Sequence, residues 1–212
     1  ANTRPGFIVI EPIDNIKIFV DRLLLQTFLN DHPLPNCVEY VQGVELNGLD
    51  PIPFDFPYIL KPRHACGTPD SHLLHIVHDD KQLSQVLNST ETKFMAFPFI
   101  QHHGVVFKVY SLAETIVFRS NGSIVLHDND SPCFDSQKPL PSQLANDSFQ
   151  SDQASQLAPT MEELRQISEA LQKSTGVQLL GFDLLRRESD GKLCLVDFNY
   201  FPCFRGVDDV AG

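Results

Sequence analysis

Three polar residues near the C-terminal end have the types and spacing for metal chemistry. Asp183 lies in Gly181-Phe182-Asp183-Leu184-Leu185, and Asp197 and Asn199 lie in Leu195-Val196-Asp197-Phe198-Asn199. Strand residues two apart share a face, so Asp197 and Asn199 point together. A turn around Ser189-Asp190-Gly191 makes the two apolar runs a hairpin, which can set Asp183 opposite them. Two carboxylates and an amide oxygen form a hard-oxygen set suited to Mg2+ carrying phosphates. The competing reading is that both carboxylates are simply solvated at strand flanks.

Cations that such a site needs are also present. Lys61 ends the run Phe56-Pro57-Tyr58-Ile59-Leu60-Lys61-Pro62, and Lys108 is embedded in Val105-Val106-Phe107-Lys108-Val109-Tyr110. A lysine in an apolar strand is costly unless it meets an anion. Taken singly, each is explained as well by an alternating strand with one wet face. Beside a carboxylate hairpin, the pair points to phosphate. Arg119 ends the next strand candidate and can join them. Arg22 follows Asp21 on an otherwise apolar helix, where a weak surface ion pair is the plain alternative. Of the eight histidines, His72 sits on the turn-rich loop containing Gly67 and can donate to a phosphate. His75, His78 and His103 read as ordinary surface residues. Serine-hydrolase, P-loop and dinucleotide-binding glycine motifs are all absent, so a nucleotide site here needs another phosphate cradle.

The elements that position these residues follow from pattern. Phe7–Ile10 reads as a short strand. Asp14 can cap a helix whose apolar face runs from Ile16 to Leu29. The stretch from Asp31 to Pro57 is proline-rich and reads as strand pieces and loops. Strands are expected at Phe56–Pro62 and Leu73–Val77, with a short helix at Asp79–Leu87. Further strands are expected at Lys93–Ile100, Val105–Leu112 and Thr115–Arg119. Asn121-Gly122 is a hairpin signal leading into Ser123–Leu126. Residues 128–159 are polar and read as a mobile loop. Thr160-Met161-Glu162-Glu163 is a capping box, and Gly176 closes its helix. The tail, Val177–Leu185 and Leu193–Phe198, is the hairpin. This order predicts an α+β fold with antiparallel sheets.

Composition narrows the partners. Sixteen Lys+Arg against 27 Asp+Glu give a net charge of −11, which weighs against nucleic acid. A few local cations still permit a polyanionic small ligand. With 42% hydrophobic and 20% charged residues, the 212-residue chain is ordinary for a globular protein. No run approaches the roughly 20 apolar residues of a membrane span. Five scattered cysteines, with no C-x-x-C pair, point to a reducing compartment, so a cytoplasmic location is expected.

Taken in order, these pieces resemble the inositol 1,3,4-trisphosphate 5/6-kinase family, also called inositol-tetrakisphosphate 1-kinase, over nearly the whole chain. Besides the runs quoted above, the resemblance rests on Asp21-Arg22, Ala65-Cys66-Gly67 with Ser71-His72, Phe99-Ile100-Gln101-His102-His103-Gly104, and Tyr200-Phe201-Pro202. It implies the ATP-grasp fold, two α+β lobes with ATP between them. Residues 1–30 would lead into the core, 31–100 would form the central lobe and 101–212 the C-terminal lobe. The family's N-terminal substrate domain is expected to be missing from this chain, as is a final helix after Gly206. The resemblance implies ATP contacts from Arg22, Lys61, Arg119 and Ser120, and a hinge around Phe97 to Phe99 that holds adenine. Pro98 has no N–H, so that hinge would use the carbonyl of Phe97 and the N–H of Phe99. His72 and Lys108 would touch the inositol phosphate or the transferring phosphoryl group, and His102 would lie on the same wall. Asp183, Asp197 and Asn199 would hold Mg2+, with Asn199 also reaching substrate. A monomer is expected.

The implied reaction is transfer of the γ-phosphate of Mg-ATP to a hydroxyl of an inositol tris- or tetrakisphosphate. Positioning and charge neutralisation dominate such transfers, so the lack of an obvious general base is no obstacle. Two other readings share the nucleotide site: an ATP-grasp ligase joining a carboxylate to an amine, and a nucleotide-binding domain without turnover.

Overall fold

Two five-stranded sheets pack against each other in the structure, a computed structural model that describes residues 11–48, 51–126, 133–141, 144 and 151–202, without the side chains of 151–153. The strand expected at Phe7–Ile10, Cys203 and the chain beyond it lie outside the described residues.

The chain enters through a short helix α1 (Ile13–Ile16) and a 3-10 turn (Lys17–Val20), then breaks at Asp21 before α2 (Arg22–Asp31). The single helix expected from Asp14 is therefore three pieces. The cap that matters is Asp21, whose backbone is extended and whose side-chain Oδ1 accepts from the Leu23 and Leu24 amides. Strand β1 (Val38–Tyr40) and β2 (Val44–Glu45) follow, then β3 (Tyr58–Pro62), β4 (Leu73–Val77), α3 (Asp80–Ser89, capped by Asp79) and β5 (Phe94–Pro98). Next come β6 (Val105–Leu112), β7 (Thr115–Gly122), β8 (Cys133–Asp135), α4 (Ser151–Leu157), α5 (Met161–Thr175), β9 (Leu179–Arg186) and β10 (Leu193–Tyr200).

The first sheet has the order β1-β10-β9-β6-β7, and the second β2-β5-β3-β4-β8. All pairings are antiparallel except β1 with β10. Sheet membership does not follow chain order: β1 joins the late strands, and β8 joins the central ones. The fold class is α+β, as expected.

Two sequence expectations change. Asn121-Gly122 forms no hairpin, because β7 runs through it to pair Gly122 with Val105. The β6–β7 turn falls instead at Ala113-Glu114, with Ala113 at φ 50°. Residues 128–159, read as a loop, contain β8 and α4. Phe134 on β8 is buried with Leu74 and Ile76, so it covers the edge of the second sheet.

Alternation along the strands decides which face packs where. On the first sheet, Phe107, Val109, Phe182, Leu184, Leu193 and Leu195 bury against Leu164, Ile167 and Leu171 of α5. The α5 helix has the predicted capping box and ends on Gly176 at φ 67°. On the second sheet, Tyr58, Leu60, Phe94 and Ala96 pack on Leu83 of α3. The opposite strand faces look toward each other. They meet in an apolar cluster of Val41, Met95, Phe97, Leu185 and Cys194, with Ile100, Val106 and Val196 alongside. No helix among the described residues is long and apolar enough to cross a membrane.

Candidate active site

Four adjacent strands of the first sheet carry one charged residue each at the same level. Arg119 on β7 is opposite Lys108 on β6, Lys108 is opposite Asp183 on β9, and Asp183 is opposite Asp197 on β10. Directly opposed residues share a face. Phe107, Val109, Phe182 and Leu184 take the core face, which leaves the charged row on the face toward the second sheet. The row depends on an irregularity. Between Leu195 and Asp197 the register shifts by one, so Val196 is an extra residue.

Lys61 enters from the other sheet. It is buried, and its Nζ donates to the carbonyl of Val196 at 2.7 Å while lying 5.1 Å from the Phe97 ring centroid. Burial pushes the Lys61 ammonium below its ordinary pKa, with Asp197 opposing that effect. Arg22, at the start of α2, is also buried and donates to the carbonyls of Pro62 and His64. It is not the surface ion pair that sequence alone permitted. Its Nε is buried with no partner, an arrangement suited to an anion.

Lys108 Nζ lies 2.7 Å from Asp183 Oδ2, and Asn199 Nδ2 donates to Asp197 Oδ2 at 2.6 Å. Burial raises the pKa of Asp183 and the neighbouring Asp197 adds to the rise, outweighing Lys108. Burial works the same way on Asp197, but Lys61, Arg22 and the Asn199 amide outweigh it and hold that carboxyl below the usual range. For Lys108, burial is outweighed by Asp183, so its ammonium is strengthened. Among the described residues, no group of three or more His, Cys, Asp or Glu side chains is arranged to hold a metal. The expected set has two carboxylates and an amide. A carboxylate whose charge is disfavoured by burial and by a second carboxylate beside it is nevertheless what a divalent cation relieves, so Asp183, Asp197 and Asn199 fit Mg2+ by donor chemistry.

The remaining expected residues are placed less uniformly. Phe97 lies in the apolar cluster beside the charged row and packs closely on Gly43, where a Cβ would come within 2.6 Å of its ring. The Phe99 N–H donates to the carbonyl of Pro57 at 3.1 Å, so the expected hinge donor is already engaged. Ser120 is opposite Phe107, so its side chain takes the core face and only its backbone borders the row. His102 is buried, with Nδ1 against the Ile100 carbonyl at 2.6 Å and Nε2 against Ser123 Oγ at 2.8 Å. Both ring nitrogens therefore serve the connector between the sheets. His72 is on the second sheet's side, its Nε2 2.9 Å from Gln137 Nε2. Arg63 was not singled out from sequence. It joins Asp21 (Nε to Oδ2, 2.8 Å) to Glu45 (Nη1 to Oε1, 2.6 Å) and so braces the segment bearing Arg22. Only its position directly after Pro62 was a signal.

Residues 37–211 match the model of the inositol 1,3,4-trisphosphate 5/6-kinase ATP-grasp domain. The chain belongs to this family. It is 26% identical over 224 residues to inositol-tetrakisphosphate 1-kinase 6 of Oryza sativa subsp. indica, covering 96% of this chain and 41% of the relative. It is 27% identical over 230 residues to inositol-tetrakisphosphate 1-kinase of Xenopus laevis, covering 97% and 55%. The chain thus spans about half the length of these relatives. A solved structure, the ATP-grasp ligase PsnB complexed with minimal precursor, superposes with TM-score 0.57 at 14% identity, covering 97% of this chain and 60% of that one. At that identity the likeness is one of fold: the family member described here has the ATP-grasp fold.

Proposed function

We propose that this chain is the phosphoryl-transfer core of an inositol phosphate kinase, moving the γ-phosphate of ATP to a hydroxyl of an inositol tris- or tetrakisphosphate. The observation that carries this reading is the convergence of Lys61 from one sheet and Lys108 from the other on Asp183 and Asp197. An apolar cluster lies directly beside them. The charged end suits a polyphosphate and the apolar end suits a base. Lys61 and Arg22 would take nucleotide phosphates, Arg22 through its unpartnered Nε. Asp183, Asp197 and Asn199 would hold Mg2+, which supplies charge neutralisation at the phosphates. Lys108 would meet the transferring group or the acceptor's phosphates. A loose transition state asks mainly for position and positive charge, and these residues provide both.

Titration with Mg-ATP and then with inositol tris- and tetrakisphosphates, with ADP release as readout, tests the proposal. Acceptor-dependent ADP release that disappears in Asp197→Ala is the expected outcome. ADP release driven instead by a carboxylate and an amine would make the chain a ligase. ATP binding with no turnover on any acceptor would leave a nucleotide-binding domain.

A further inference from the structure

The Lys108–Asp183 contact is one that the proposed chemistry must undo. The same carboxylate is needed by a divalent cation, and the same ammonium by a phosphoryl group or anionic acceptor. At 2.7 Å each is committed to the other. Asp197 is closed in a similar way, with Oδ2 bonded to the Asn199 amide at 2.6 Å. Lys108 is thus the cation that the Asp183 carboxylate holds while the site is unloaded. The two strands fix the backbones in register. The flexible Lys108 stem, with a side chain 36% exposed, can swing away without moving the sheet. Lys61 differs: it is buried and bonded to a backbone carbonyl, so it has no part in such an exchange.

We propose that Lys108 is the internal counter-ion of the metal site, neutralising Asp183 while the site is unloaded and released toward phosphate when a divalent cation takes that carboxylate. Metal and Lys108 compete for Asp183. Metal loading and the binding of an anionic acceptor are therefore positively coupled, and by linkage the coupling is reciprocal. This inference rests on the reading of Asp183 as a metal ligand.

The first test needs no turnover. Lys108→Met keeps the apolar stem and removes the charge. Binding of Mn·ADP, followed by the paramagnetic resonance of the bound cation, is expected to tighten about tenfold, within the usual range of coupling between sites. Equal or weaker binding by a variant with an unchanged melting transition overturns the counter-ion role alone. If neither protein binds the cation at Asp183, the metal reading fails and this inference with it. The second test uses an inositol tetrakisphosphate in the presence of EDTA. The unaltered chain is expected to bind it weakly and to gain about fivefold or more with Mg·ADP. Asp183→Asn, which frees Lys108, is expected to bind as tightly in EDTA as the unaltered chain does with Mg·ADP. No gain in Asp183→Asn overturns the proposal.

Discussion

Asp21 and Arg63 are joined by a 2.8 Å ion pair between Oδ2 and Nε, while the other Asp21 oxygen caps α2. One carboxylate therefore fixes both the start of the helix that presents Arg22 and its distance from the strand that presents Lys61. The main chain repeats the link, because the Arg22 N–H donates to the Arg63 carbonyl at 2.8 Å. Asp21→Ala is expected to cost about 1–2 kcal/mol from the lost cap alone. Asp21→Asn keeps a good capping group and loses only the charge pair, so its cost is smaller. Denaturant unfolding of the two variants checks the order; equal losses would mean that the cap contributes little.

Lys61→Met removes a buried ammonium from an apolar neighbourhood. Nucleotide affinity is expected to fall by one to two powers of ten, as for loss of a charge-assisted hydrogen bond worth about 1.5–3 kcal/mol. The unfolding midpoint is expected to fall as well, because the Val196 carbonyl loses its donor and Asp197 loses a neighbouring cation. Calorimetric titration with Mg-ATP and thermal unfolding read the two effects separately. A falling midpoint with unchanged affinity would assign Lys61 a structural role only.

Burial holds His102 below the ordinary histidine pKa of 6.5, against the opposing Ile100 carbonyl and Glu188, and burial does the same to His75. These rings stay neutral in the folded chain at a pH where the unfolded chain protonates them. Unfolding then takes up protons, so stability falls as pH drops below about 6.5 and stops falling below the lowered values. His102→Gln should flatten this acid slope. Stability measured from pH 7.5 to 5 checks it, and an unaltered slope would move the effect to other groups.

Gly181 lies opposite Asn199, and a Cβ on it would meet Pro202 Cβ at 2.5 Å. Gly181→Ala is expected to destabilise by about 1–3 kcal/mol through overpacking. The displaced Pro202 is three residues from Asn199, so Mg-ATP binding should weaken too. Urea unfolding and nucleotide titration check both; unchanged stability would show that Pro202 simply moves aside.

Local signals were legible in the sequence where they act within a few residues. Alternation delimits β6 from Val105 to Leu112, and Thr160 with Glu163 forms the capping box that their spacing predicts. The C-terminal hairpin places Asp183 opposite Asp197, as expected. Signals failed where a longer pairing overrode them. Asn121-Gly122 would turn well alone, but matching β7 to the length of β6 keeps it in the ladder. Asp14, expected as the cap, lies inside α1 and accepts from Lys17, while Asp21 caps the long helix, held by Arg63 from 42 residues away. The meeting of Lys61 with Val196, 135 residues apart, is set by sheet packing and has no local trace. His102 is a mixed case: Ile100 is two residues away, but Ser123, which takes the other ring nitrogen, is 21 residues away.

The extra residue Val196 also answers a question of odd and even. Leu193 and Leu195 bury on the core face, and so does Phe198, three positions later instead of two. Strict alternation from Leu195 would have sent Asp197 into the hydrophobic interior and left Val196 facing Asp183. The inserted step inverts that assignment. It also leaves the carbonyl of Val196 to receive Lys61. A one-residue deletion here would leave the composition of β10 almost unchanged and exchange its wet and dry sides. The chemistry of this chain hangs on a count of residues as much as on their kinds.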